Sequence, residues 1–254
     1  MVVDFLKGNG EITKLEDAEF VCAFHYPIIM EGALPLGLSI RTDPAPCWTP
    51  HPRLHVPFYT ARGDRLLVIT FTVNSTMEGL TQSLLFVRTS TLLSHVGSIT
   101  GETKRRFRWD EWGPSETRMM RAPRAHNSVW VCYVFGSRFV TTRKWRGKPK
   151  WIEVYDFRPH AGDRRAGQSS ESDEEDDELS MRGRWMDAET QMPEGVFGDT
   201  VATSLPYHMR AIIPVTSEGE ADWKSVMVSE DTIIFMGEVR VVSGNLSSTA
   251  PWLF

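Results

Sequence analysis

Apolar positions along this chain fall in short runs broken by turn-forming residues, and few windows repeat at helical spacing. Leu66 to Val73 (LLVITFTV) is apolar and β-branched on both alternating faces, which predicts an inner strand covered from two sides. Ser83 to Val87 predicts another strand. Val129 to Phe135 and Arg138 to Thr142 flank Gly136-Ser137, a two-residue connection of the kind that closes hairpins. Trp151 to Phe157 follows the turn Arg146-Gly147-Lys148-Pro149. Later strands are expected at Ala211 to Val215, Ser225 to Val228, Thr232 to Met236 and Glu238 to Val242, with turns at Glu230-Asp231 and Met236-Gly237. Thr91 to Val96 predicts one short helix.

Short strands separated by turn chemistry point to an all-β fold: a sandwich, a barrel or a propeller. No repeat of the length that propeller blades carry is visible. Composition agrees, with 11% aromatics, 19 Gly and 15 Pro in 254 residues. Three cysteines, Cys22, Cys47 and Cys132, are too few for a disulfide framework and lack paired spacing, which suits a reducing compartment. No secretory leader and no long apolar run is apparent, so an intracellular setting, cytoplasmic or nuclear, is expected.

Charge is unevenly spread. The net charge is -5, yet residues 104–150 hold thirteen Lys and Arg against three acids. Ala161 to Gly183 is the opposite extreme, and between Glu171 and Glu178 every residue but Ser172 is acidic. Self-repulsion and the lack of apolar residues predict a disordered acidic insertion over 161–183 within a single β-rich domain spanning 1–254. The segment following it, to Thr200, reads as weakly structured, with a turn at Met192-Pro193-Glu194-Gly195. Ser169, Ser170 and Ser172 sit in acidic context and are candidate phosphorylation sites.

The search for reaction chemistry excludes more than it finds. No phosphate-binding loop is present, and Gly97-Ser98-Ile99-Thr100-Gly101 lacks the spacing of a nucleophile elbow. Cys47, His51 and His55 have helical ligand spacing, but Pro50 and Pro52 oppose a helix, so no metal is expected. Asp110 and Glu111 are adjacent; on extended chain they would point apart, which suits an anchored turn at Gly113-Pro114 better than shared acid–base work. No cofactor and no catalysis are expected. The candidate binding residues mix cations with rings: Arg105, Arg106, Arg108 and Trp109 in one segment, Arg143, Trp145 and Arg146 in another. That mixture also suits phosphate contact and base stacking, so nucleic-acid binding through 104–150 stands as the alternative, although an isoelectric point near 5.8 opposes it.

Trp109-Asp110-Glu111-Trp112-Gly113-Pro114-Ser115-Glu116-Thr117-Arg118 resembles a WDEWGP-x-x-TR segment in the C-terminal regions of fungal F-box proteins. Other landmarks follow in the same order. They are Gly10 to Leu15, Phe86 to Leu93, Glu153 to Pro159, Ser204 to Tyr207 and Val226 to Ile234. The resemblance implies an incomplete β-propeller or propeller-like stack of antiparallel sheets that holds a protein target, possessing no catalytic residues. In that family an F-box helix bundle recruits a ubiquitin-ligase scaffold. Its Leu-Pro-x-Glu opening is not seen here, so recruitment of the scaffold is not implied, and the expected partner is a protein, such as a ligase target, rather than a membrane.

Overall fold

The computed structural model of this chain describes residues 20, 22–43, 65–99, 104–123, 133–143, 151–158, 183–193, 195–213, 223–229, 232–237 and 241–245. The elements begin with β1 (Cys22–Phe24), β2 (Leu34–Arg41), β3 (Leu66–Ser75), β4 (Gly79–Arg88) and α1 (Thr89–Gly97). Next come β5 (Arg105–Phe107), α2 (Trp109–Trp112), β6 (Thr117–Arg121), β7 (Val134–Phe135), β8 (Arg138–Arg143) and β9 (Trp151–Asp156). The chain continues through β10 (Arg184–Met186), β11 (Thr190–Gln191), β12 (Ala202–Thr203) and β13 (Tyr207–Ile212). It ends with β14 (Trp223–Val228), β15 (Thr232–Gly237) and β16 (Val241–Asn245). The protein is therefore mostly β, in several largely antiparallel sheets, and none of them closes on itself among the described residues. The exception to antiparallel pairing is β1 with β5, which run parallel.

The middle layer is the sheet β2-β3-β4-β6. Its centre is the β3–β4 hairpin, paired without a break from Leu66↔Arg88 to Ser75↔Gly79. Ser75 Oγ accepts from the Met77 amide, and Gly79 at φ 67° supplies the left-handed residue that a short hairpin loop requires. Successive side chains alternate between faces. Leu66, Val68, Leu84 and Phe86 enter one core, whereas Phe71, Val73, Leu85 and Val87 enter the other. The doubly covered strand expected at Leu66 to Val73 is thus observed.

The first core is closed by the five-stranded sheet β10-β13-β9-β8-β7 and by β14 and β15. Phe86 stands edge-on to Phe139 at 4.9 Å and stacks on Phe157 at 4.9 Å. The expected Gly136-Ser137 hairpin joins β7 to β8, with Gly136 at φ 57° and Phe135 opposite Arg138. Its turn is tied to the middle sheet, because the Leu66 amide donates to the Gly136 carbonyl at 2.7 Å.

The second core is roofed by short pieces: α1, the β1–β5 pair, α2 and the loop from Met192 to Val201. The expected helix is present, two residues longer at its start and one at its end, and packs Leu92 and Val96 inward. Four expectations need correction. The segment preceding Thr200 is not weakly structured over its described residues, because Met192, Val196 and Phe197 are buried in this core and Phe197 bridges Ile29. Met236-Gly237 is not a turn, since both residues lie inside β15, paired with β14 and β16. The strand expected at Ala211 to Val215 starts earlier, at Tyr207, where a buried tyrosine opens it. Asp110 and Glu111 lie on the single helical turn α2, not on extended chain. The expectations for Gly10 to Leu15, Val129 to Cys132, Glu230-Asp231 and the acidic run fall outside the described residues.

Phe86 is fully buried between three rings, so Phe86→Ala should cost about 3–5 kcal/mol of folding free energy in urea titrations. A loss below about 1 kcal/mol would mean that the first core does not depend on this side chain.

Candidate functional site

The segment from Arg105 to Arg118 folds as a structural knot. The Glu111 carboxylate accepts from the Arg108 amide at 2.5 Å and from Arg105 Nη2 at 2.9 Å, while Asp110 pairs with Arg108 Nε at 3.1 Å. Trp112 is buried, and its Nε1 donates to the His25 carbonyl at 3.0 Å. Trp109 stands edge-on to Trp112 at 5.3 Å and covers Gly113, where any Cβ would collide with the indole. Thr117 Oγ1 donates to the Gly113 carbonyl at 2.5 Å and locks the turn. Both carboxylates are consumed by this local architecture.

Arg118 closes the knot. It is 1% exposed, donating from Nε to the Leu205 carbonyl at 2.8 Å and from Nη1 to the Ala188 carbonyl at 2.6 Å and Thr190 Oγ1 at 2.5 Å. Its guanidinium lies 5.2 Å from the Tyr207 ring centre. Burial pushes its pKa below the ordinary value, against the pull of Tyr207 and Asp187. One arginine therefore holds β6 to the two segments, 188–190 and 205–207, that enclose the sheet's far edge.

The cationic candidates are distributed over different sheets. Arg105, Arg106 and Arg108 are exposed around β5, next to the second core. Arg105 also lies 5.2 Å from the Phe107 ring centre. Arg143 is on β8, in the sheet that closes the first core, where its Nε donates to Glu153 Oε2 at 2.9 Å. That carboxylate also accepts from Tyr155 Oη at 2.5 Å and from Trp151 Nε1 at 3.3 Å. Burial works against the Arg143 charge, but the adjacent Glu153 outweighs it and raises the pKa. Burial, then the Glu153 charge, raises the Tyr155 phenol and keeps it neutral. Trp145, Arg146, Ser169, Ser170 and Ser172 fall outside the described residues, as do Cys47, His51 and His55. The described cations of the two segments thus stand on different sheets, and Arg105, Arg108 and Arg143 are already held by carboxylates.

The feature that sequence patterning missed is an edge. All eight residues of β2 (LPLGLSIR) are exposed, with Leu34 at 59%, Leu36 at 54%, Leu38 at 55% and Ile40 at 49%. The strand pairs with β3 on one side only among the described residues. Leu34 and Leu80 flank Asn74 across the sheet, and Leu80 is also exposed. Exposed Met77 packs against Gly195, and exposed Ile28 packs against Gly198 three residues further on. Exposed apolar side chains therefore line this edge on both faces of the sheet: Leu38 and Ile40 beside Phe71 and Ile69, Leu34 and Leu80 on the other face beside Asn74. The strand's period-two alternation of Leu and Ile was the available signal, broken by Pro35 and Gly37, which read as turn formers.

Among the described residues no group of three His, Cys, Asp or Glu side chains is placed to hold a metal ion. Among the same residues no helix is long and apolar enough to cross a membrane. No family model, no curated protein and no solved structure matches the chain.

Asp156 gives a pH test of this architecture. It accepts from Ser137 Oγ at 3.0 Å, Arg138 Nε at 3.2 Å and Arg158 Nη2 at 2.5 Å. Burial alone would raise its pKa; the Arg158 hydrogen bonds and charge, with Arg138, overcome this and lower it from 3.8 to about 2. A depressed carboxylate stabilises the fold above its unfolded pKa and loses that contribution as pH falls through the folded one. Between pH 4 and 2 the wild type should lose about 2 kcal/mol more stability than Asp156→Asn, read from denaturation midpoints at each pH.

Proposed function

We propose that this chain is a non-catalytic protein-binding module, an incomplete propeller-like stack of sheets related to the target-holding region of fungal F-box proteins. The observation that carries the reading is the exposed edge strand β2, with Leu34, Leu36, Leu38 and Ile40 each about half exposed and Met77 and Leu80 exposed at the adjoining turn. Apolar side chains exposed singly are ordinary, whereas several gathered on one edge strand with no neighbour on its outer side among the described residues mark a surface that another macromolecule covers. Support also comes from the WDEWGP segment, whose tryptophans and Arg118 are occupied in positioning the sheets, leaving the edge and turns to make contacts. Nucleic-acid binding has less support, because Arg105, Arg108 and Arg143 already face Glu111, Asp110 and Glu153.

Affinity purification followed by mass spectrometry tests the reading. Proteins recovered with the wild type should be lost with a Leu34→Glu/Leu80→Glu variant, whose changed side chains are solvent-facing and leave both cores intact. Ligase-scaffold subunits among the lost proteins would extend the F-box relation. An unchanged set of proteins, combined with salt-sensitive retention of oligonucleotides, would overturn the proposal in favour of nucleic acid.

A further inference from the structure

We propose that the outer edge of β2 pairs with β2 of a second copy of this chain, antiparallel and two-fold symmetric about Ser39, merging two four-stranded sheets into one of eight. This rests on the protein-binding reading of the same edge and names its partner.

The register of β2 on β3 defines which part can pair. From Gly37↔Thr72 to Arg41↔Val68 each residue opposes one neighbour, while the shift between Pro35 and Gly37 places a bulge at Leu36. A bulge bends and twists the strand away, so five regular residues, Gly37 to Arg41, present a straight edge. Leu38 lies opposite Phe71 and Ile40 opposite Ile69, on the face of the sheet that the second core covers further in. Both remain about half exposed because the sheet stops at β2.

A two-fold contact requires that residue i meet j whenever j meets i. With the axis at Ser39, Leu38 meets Ile40 twice, on one face, and Gly37 meets Arg41 twice. The strand's single charge, Arg41, therefore faces no like charge. An axis between residues would set the apolar face of one strand against the polar face of the other. An axis at Leu38 would draw the bulged Leu36 into pairing with Ile40. An axis at Ile40 would pair only Ser39 to Arg41, whereas the Ser39 axis satisfies face, bulge and charge while pairing all five regular residues. The protective devices that edges carry, a proline and a bulge, are confined here to the other end of the strand.

Pairing also stops at two copies. The opposite edge of the sheet, β6, is covered: the Leu205 amide donates to the Thr117 carbonyl at 2.9 Å, and the Met119 amide donates to Thr203 Oγ1 at 2.8 Å. A single strand pair is small as interfaces go, so the dimer should dissociate on dilution in the roughly micromolar range.

Sedimentation velocity of the full chain across that range should show a monomer–dimer equilibrium. Leu38→Lys/Ile40→Lys should abolish the dimer, because like charges then oppose across the axis. Leu38→Lys/Ile40→Glu should retain it, because unlike charges then oppose. The two variants should match in circular dichroism and denaturation midpoint, which separates pairing from folding. A wild type that stays monomeric throughout, or a dimer indifferent to both variants, would overturn self-pairing. So would a Lys/Glu variant as monomeric as the Lys/Lys one. Should the wild type stay monomeric while Leu34→Glu/Leu80→Glu still loses its captured proteins, self-pairing fails and the protein-binding reading stands.

Discussion

The described residues are arranged about one hairpin, β3–β4, whose half away from the turn is buried on both faces. β3 and β4 supply apolar side chains at successive positions, so each strand gives to both cores. A one-residue slip of either strand would carry every side chain into the opposite core, where the neighbours that fit it are missing. Burial on both faces also explains why the covering layers differ so much in kind. The five-stranded sheet supplies one cover as a continuous surface. The other cover is assembled from a short helix, a parallel strand pair, one helical turn and a loop.

Covers made of pieces need fastening, and polar groups provide it. Arg118 ties the far edge of the middle sheet to backbone carbonyls at 188 and 205, distant in the chain. Asp156 fastens the end of β9 to the Gly136-Ser137 turn, and Glu153 gathers Trp151 and Tyr155 of its own strand with Arg143 of the neighbouring β8. Such buried charges cost desolvation and contribute chiefly by fixing geometry, since breaking one strands its partner away from water. The result is a rigid sheet with one open side. The open side is β2, where apolar residues on paired backbone meet solvent.

Much of this was legible beforehand. The inner strand at Leu66 to Val73, the Gly136-Ser137 hairpin and the helix near Thr91 follow from local pattern, because dense apolar β-branching, a tight turn and helical spacing are short-range properties. The segment Trp109 to Trp112 was recognised as structural, but its helical turn was not, because it is held by Glu111 reaching back to the Arg108 amide and by the Trp109 ring over Gly113. The stretch 184–200 reads as weakly structured because its few apolar residues, Met192, Val196 and Phe197 among them, show no period; a core formed by other strands recruits them one at a time.

The amino-acid order by itself determined the β-rich character, the positions of the inner strands and the segregation of charge, since each depends on neighbours within a few residues. Only the tertiary structure decided that Arg105 and Arg143 stand on different sheets, that Arg118 is a buried fastening, and that LPLGLSIR is an exposed edge rather than a core strand. Those outcomes depend on which strands pair and where a sheet ends. An apolar run reads the same whether a neighbour covers it or not.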